Sequence, residues 1–264
     1  MNSDPPFIHL ERATLIYKSR GGKTHALAET SIDVNSGDFI AVVGPSGCGK
    51  SSLLKLVSGL HPVTSGRIVV AGQEVTGPLK ISGMAFQNAT LLPWRRTIDN
   101  VLLPLEIVEP HASQFWTNRG KYEAMANDLL GMVGLSGFER KYPWELSGGM
   151  QQRSSLCRAL IHEPRMLLLD EPFGALDAFT REDLWGVLQK LWLNKKPTVI
   201  LVTHDLREAV YLADTIYVMS ARPGRIVSRN EVKLPRPRTL ADTFKPEFVE
   251  MAHRLRSQIG EAII

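Results

Sequence analysis

The residues best suited to chemistry sit in the run Gly44-Pro45-Ser46-Gly47-Cys48-Gly49-Lys50-Ser51-Ser52, whose spacing fits G-x-x-x-x-G-K-[ST]. Glycines in such a run let successive backbone N–H groups wrap an anion, and a following helix N-terminus adds partial positive charge. Lys50 is then placed for the β- and γ-phosphates of a nucleoside triphosphate, and the Ser51 hydroxyl for Mg²⁺. A second group, Asp170 and Glu171, ends the apolar run Met166-Leu167-Leu168-Leu169. There Asp170 can hold Mg²⁺ through its water shell, while Glu171 orients and deprotonates an attacking water. The plain alternatives are a glycine turn without a ligand and an acidic strand end without a purpose. A strand before, a helix after and Lys-Ser in register argue against the first; the cost of burying carboxylates without a cation argues against the second. The chemistry indicated is nucleoside-triphosphate binding with Mg²⁺.

The elements that must position these groups read as an α/β protein. Phe39-Ile40-Ala41-Val42-Val43 is a short apolar strand entering the loop, and Leu53, Leu54, Leu56 and Val57 give the helix that leaves it. Met166 to Glu171 and Thr198 to Asp205 read as parallel strands buried on both faces, with a helix over residues 184–193 between them. Carboxylates at the end of such a strand lie where open α/β sheets place ligands. Residues 7–43 read as strands: 7–10 and 13–17, then the polar turn 18–23, then 31–34. Tyr17 on the second of these offers a flat ring that either stacks on a purine base or simply packs. Residues 66–72 give another strand pair that ends near Gln87. Helical periodicity over 97–103 and 122–130, separated by an irregular stretch with Pro110 and Gly120 as breakers, marks residues 88–156 as a helical insertion. The stiff Pro235-Arg236-Pro237-Arg238 leads to an amphipathic helix over residues 248–259 within a C-terminal extension, 227–264. No internal repeat or low-complexity tract interrupts a single domain over 1–264.

Composition narrows the class. The 264 residues are 44% hydrophobic and 22% charged, an ordinary globular balance that can bury a sizeable core. A net charge of +4 permits weak attraction to an acidic surface or nucleic acid without requiring it. Cys48 and Cys157 suggest reduced thiols in a cytosolic protein rather than a disulfide framework. A reagent on the Cys48 thiol is expected to obstruct the anion loop, and ATP to protect it. The first residues lack the basic and apolar regions of a signal peptide. No apolar run approaches the roughly 18 residues that span a bilayer, so any membrane role is expected to come through a partner.

One further motif points to a family. Leu146-Ser147-Gly148-Gly149-Met150 lies upstream of Asp170, a serine and a glycine pair at a helix N-terminus that makes a second anion nest. With it the chain resembles the ATPase subunits of ABC transporters over about residues 7–230. The resemblance implies a P-loop NTPase (RecA-like) core, an N-terminal antiparallel β subdomain and an inserted α-helical subdomain. It implies a head-to-tail homodimer or paired ATPase subunit, each ATP lying between one chain's phosphate loop and the other's Ser147-Gly148-Gly149. It makes Tyr17 the base-stacking aromatic, Gln87 a Mg²⁺ contact that reports on the membrane partner, Asp177 part of the loop crossing the dimer interface, and His204 the γ-phosphate contact. Two transmembrane permease subunits, an extracytoplasmic solute-binding protein and a peripheral place on the cytoplasmic face of the inner membrane follow from it. Residues 91–94, 221–226 and 234–238 are similar to the nitrate/sulfonate/taurine importer branch; the alternative is packing and turn residues shared by related branches, in an ABC transporter ATPase of another branch. Ser154, Ser155 and Cys157 depart from the small apolar residues usual after the signature, and the 109–120 segment is longer than usual. A soluble ABC ATPase acting on nucleic acid or ribosomes is the rival, disfavoured by a single ATPase unit without heptads. A small-molecule kinase would leave the Leu146–Met150 motif without a role.

Overall fold

Every residue of the strands Phe39–Val43, Met166–Asp170 and Thr198–Val202 is buried, as continuous apolar runs in a parallel sheet must be. The computed structural model describes residues 5–19 and 22–262. In chain order its strands and helices are β1 Ile8–Ser19, β2 Gly22–Val34, β3 Phe39–Val43, α1 Lys50–Val57, β4 Ser65–Val70, β5 Gln73–Glu74, β6 Ser82–Ala85, α2 Thr97–Leu102, α3 His111–Gln114, α4 Arg119–Met132, α5 Gly148–Leu160, β7 Met166–Asp170, α6 Ala178–Lys195, β8 Thr198–Val202, α7 Leu206–Leu212, β9 Thr215–Met219, β10 Ile226–Glu231 and α8 Pro246–Glu261. The chain divides into two compact units, Met1–Leu79 with Lys196–Ile264, and Lys80–Lys195.

The first unit holds two sheets. In the antiparallel one the order is β2-β1-β4-β5. Its inward positions alternate, Leu27 through Ile32 and Val34 on β2 and Ile8, Leu10, Ala13 and Leu15 on β1, with register shifts where β1 bends between Leu10 and Ile16. In the other, β3 pairs parallel with β8 on one side and β9 on the other, and β10 runs antiparallel to β9. β1 and β2 are single long strands rather than the three short ones read from the sequence, because β2 begins at Gly22; of the polar turn, residues 20–21 lie outside the described residues. The edge strand β10 escaped the sequence reading, since its pattern IVSRNE carries too few apolar residues to register.

The Pro235–Arg238 segment has a job beyond stiffness. Arg238 is 2% exposed and donates to the carbonyls of Val210, Tyr211 and Ala213 at 2.8, 3.1 and 2.7 Å, which are the orphan acceptors at the end of α7. Arg236 adds bonds to the Leu212 carbonyl and, at 2.7 Å, to Asp214. Burial pushes the Arg238 guanidinium down to about 10, a cost offset by this dense set of carbonyl partners. α8 then packs on α7 and β9, and Phe248 and Leu255 are its buried residues.

The second unit sets β6 parallel to β7 and packs α2, α4 and α5 together, with α5 against β6. α6 runs from Ala178 to Lys195, longer at both ends than the periodic 184–193, with Leu184, Trp185, Leu188 and Trp192 along its buried stripe. Two details of the 109–120 stretch differ from expectation. Residues His111–Gln114 form one helical turn, and Gly120 lies inside the first turn of α4 instead of breaking it. Phe115 is buried at 2% and stacks on Tyr122 at 5.9 Å, which anchors the stretch despite its polarity.

Candidate functional site

β3 delivers the chain to the glycine run, and α1 leaves it. Gly49 caps α1 with φ 103, a left-handed conformation that suits glycine, and no side chain caps the helix. A Cβ at Gly49 would also lie 2.6 Å from the Ala26 carbonyl oxygen. The helix N-terminus is therefore left open to an anion. Lys50 folds back over the loop: its Nζ donates to the carbonyls of Gly44 and Pro45, each at 2.9 Å, and the residue is 6% exposed. Within its own unit this ammonium meets carbonyl oxygens rather than a carboxylate. A buried ammonium held by carbonyl oxygens at the mouth of a glycine loop fits a phosphate.

The loop corrects one expectation. Cys48 is 1% exposed, and its Sγ lies close enough to Gly44 that a Cβ there would approach it at 3.1 Å. Burial pushes the Cys48 thiol up, against the opposing pull of the Lys50 ammonium, and pushes Cys157 up to about 12. Both thiols are buried, and Cys48 Sγ lies 3.9 Å from Lys50 Nζ. Alkylation at mildly alkaline pH is expected to proceed at less than about a hundredth of the free-thiol rate at both cysteines, with or without ATP. Peptide mapping of the labelled protein checks this; fast labelling of Cys48 that ATP prevents would put the thiol back on the open face.

Other sequence candidates of the first unit gather near the loop or at strand ends. The Tyr17 hydroxyl lies 3.2 Å from Ser52 Oγ, directly after Ser51, and its ring meets His61 edge-on at 5.0 Å. His204 follows β8 and is exposed. Its backbone is fixed on both sides: the Asp205 N–H donates to Thr203 Oγ1 at 2.9 Å, and the Asp205 carboxylate caps α7 through the N–H groups of Arg207 and Glu208.

In the second unit Asp170 is 6% exposed at the end of β7. Glu171 adopts φ 46, a left-handed conformation that costs a non-glycine residue of order 1–3 kcal/mol and ends the strand abruptly. Gln87 Nε2 donates to Glu171 Oε2 at 3.2 Å, so these two candidates are brought together. That bond fixes a carboxylate oxygen in place. Ser147 caps α5, its Oγ accepting from the Met150 N–H at 3.3 Å, with Gly148 and Gly149 in the first turn. A Cβ on Gly149 would meet Leu176 at 2.8 Å. Asp177 accepts from the Thr180 N–H at 3.0 Å, and that bond holds its carboxyl below the usual range. Its visible work here is to start α6.

Two positioning residues went unseen in the sequence. Gln152, 3% exposed, donates to the Phe86 carbonyl at 2.9 Å, just before Gln87. Arg158 donates to the carbonyls of Ala89 and Thr90, each at 3.0 Å, just after it. α5 thus grips the segment carrying Gln87 from both sides. Their one signal was polar residues on the inward face of a helix. Ser154, Ser155 and Cys157 are fully buried on the same helix.

Strand, glycine loop, lysine and helix in the first unit, and a strand ending in paired carboxylates in the second, are the parts of an α/β nucleotide-binding protein of the P-loop NTPase class. The profile of the ABC transporter family matches residues 27–174. The aliphatic sulfonates import ATP-binding protein SsuB of Bacillus licheniformis is 46% identical over 82% of this chain and 81% of its own. The taurine import ATP-binding protein TauB of Escherichia coli is 40% identical over 93% of this chain and 95% of its own. A solved dimeric ATP-binding cassette in a post-hydrolysis state with ADP and Pi superposes with a TM-score of 0.77 at 29% identity, over 86% of this chain and all of that one. The chain belongs to the ABC transporter family, as one of its ATP-hydrolysing subunits. Among the described residues no helix is long and apolar enough to cross a membrane.

Proposed function

We propose that the chain powers an ABC importer for a small anion or organic ion of the nitrate, sulfonate or taurine type. The observation that carries this reading is the likeness to a taurine import ATP-binding protein over 93% of the chain, which takes in the C-terminal segment as well as the loop. The protein would sit peripherally at the cytoplasmic face of the inner membrane. It would work as a pair of ATPase subunits on two permease subunits, served by an extracytoplasmic solute-binding protein. The helical insertion, residues 88–156, is the part assigned to the permease contact.

In this reading the loop amides and Lys50 bind the triphosphate and neutralise charge that builds on the transferring phosphoryl group. Tyr17 holds the base. Glu171 takes the proton from the attacking water, and Gln87 keeps the acting carboxylate oriented through its Nε2–H bond. His204, carried at a capped helix start, contacts the γ-phosphate. Ser147, Gly148 and Gly149 present a helix N-terminus to the ATP of the partner subunit, beside Asp177. Ser51, Asp170 and Gln87 each carry an oxygen of the kind a hard divalent cation takes, and they are the residues that would hold Mg²⁺. Mg²⁺ bound to them would supply positive charge that offsets the charge of the phosphates. ATP binding closes the dimer, and hydrolysis with product release reopens it.

Co-purification from membranes and reconstitution in vesicles tests the function. Taurine or an alkanesulfonate, with the solute-binding protein, is expected to stimulate ATP turnover several-fold. Stimulation by an unrelated solute, such as a sugar or a metal ion, and by neither sulfonate would overturn the solute class.

A further inference from the structure

The turn between β9 and β10 rests against the outer side of the phosphate loop. It is held by its own bonds, Ser220 N–H to the Arg225 carbonyl at 2.9 Å and Arg225 N–H to Ser220 Oγ at 3.3 Å. It is also stitched to β2, with Gly224 N–H donating to Ala26 at 3.2 Å and Ala28 N–H donating to Gly224 at 2.8 Å. Gly224 comes so near the loop that a Cβ there would lie 1.8 Å from the Cys48 carbonyl oxygen. From this braced turn Arg222 reaches across, and its Nε donates to the Gly47 carbonyl at 2.7 Å. Gly47 is itself left-handed, with φ 73, and a Cβ on it would lie 2.8 Å from Arg222 Nη2. The Arg222 side chain is exposed, and among the described residues no ion pair neutralises it.

We propose that Arg222 is a positioning residue for nucleotide binding. This rests on the reading of the loop as an ATP site. The Nε–H···O=C bond fixes the plane of the Gly47–Cys48 peptide, so the loop is already in its anion-binding form before ATP arrives. The uncompensated guanidinium also adds positive potential at the loop's rim, where a triphosphate must approach. Both effects act on binding. Neither touches the water or its base, so the rate at saturating ATP is left alone.

The test uses the full chain, with equilibrium binding of a fluorescent ATP analogue and steady-state ATPase measured on the same preparations. R222Q is expected to weaken nucleotide binding about three- to tenfold, a charge-assisted bond discounted for its exposure, with kcat within about twofold. The salt dependence of binding should flatten in R222Q, because one cation has left the rim. R222K keeps the charge without the planar donor and should recover the salt dependence and part of the affinity. Unchanged binding in R222Q, or a fall in kcat with affinity intact, overturns the proposal. So does an equal loss in R222Q and R222K accompanied by a lower Tm without nucleotide, which would mark a merely structural arginine. If R222Q does not fold, R222K alone decides: unchanged affinity refutes the inference. If the unmodified chain binds no ATP, the reading of the loop falls and this inference with it; normal binding by both unmodified and R222Q protein sinks the inference alone.

Discussion

Glu171→Gln is expected to cut steady-state ATP turnover by more than roughly 100-fold while leaving ATP binding intact, the loss typical of a missing general base. The two side chains have the same shape, so the substitution isolates the proton acceptor. Its surroundings should survive. Gln87 Nε2 donates to one oxygen of Glu171 at 3.2 Å, and a glutamine at 171 still offers an amide oxygen to that donor. The left-handed turn at φ 46 is a property of the backbone and is as costly for glutamine as for glutamate. The variant should therefore collect as an ATP-bound dimer, visible by size-exclusion chromatography with ATP and lost on replacing ATP with ADP. Turnover near the unmodified rate would remove Glu171 from its role and move attention to Asp170 or to His204.

What could be read in the sequence divides along a physical line. The loop was legible because its chemistry is local: the glycine spacing specifies a backbone shape, and the lysine and serine follow at fixed offsets. The fully buried strands β3, β7 and β8 were legible because burial on both faces leaves an unbroken apolar run. The Gln87–Glu171 bond was not, since 84 positions separate the residues and no period links them. The same holds for Gln152 under Phe86 and for Arg238 beneath the end of α7, both polar residues buried for the sake of distant carbonyls. Cys48 shows the limit even inside a motif. The spacing names the residue but not the burial of its thiol, which packs close against Gly44.

Mixing two inactive chains is expected to restore ATPase activity that neither shows alone. One chain carries Lys50→Ala, which removes the buried ammonium bonded to the Gly44 and Pro45 carbonyls but leaves α5 and its serine cap untouched. The other carries Ser147→Arg, which keeps its own loop but sets a bulky side chain at the exposed start of α5. If each ATP lies between one chain's loop and its partner's Ser147-Gly148-Gly149, a mixed dimer has one site built from two sound halves and one built from two damaged halves. If each chain works alone, every site in the mixture keeps one defect, and no activity returns. Random pairing makes about half of the dimers mixed, with one sound site of two, so recovery up to about a quarter of the unmodified rate is the ceiling for independent sites. Cooperation between sites would lower that figure, and docking on the permease subunits should raise the yield of pairs by increasing their effective concentration. The measurement is ATPase activity against mixing ratio, with crosslinking to count the mixed pairs. A bell-shaped dependence peaking near equal amounts supports the shared site. A flat baseline, in a mixture where crosslinking finds mixed dimers, would refute it and leave a self-contained site in each chain.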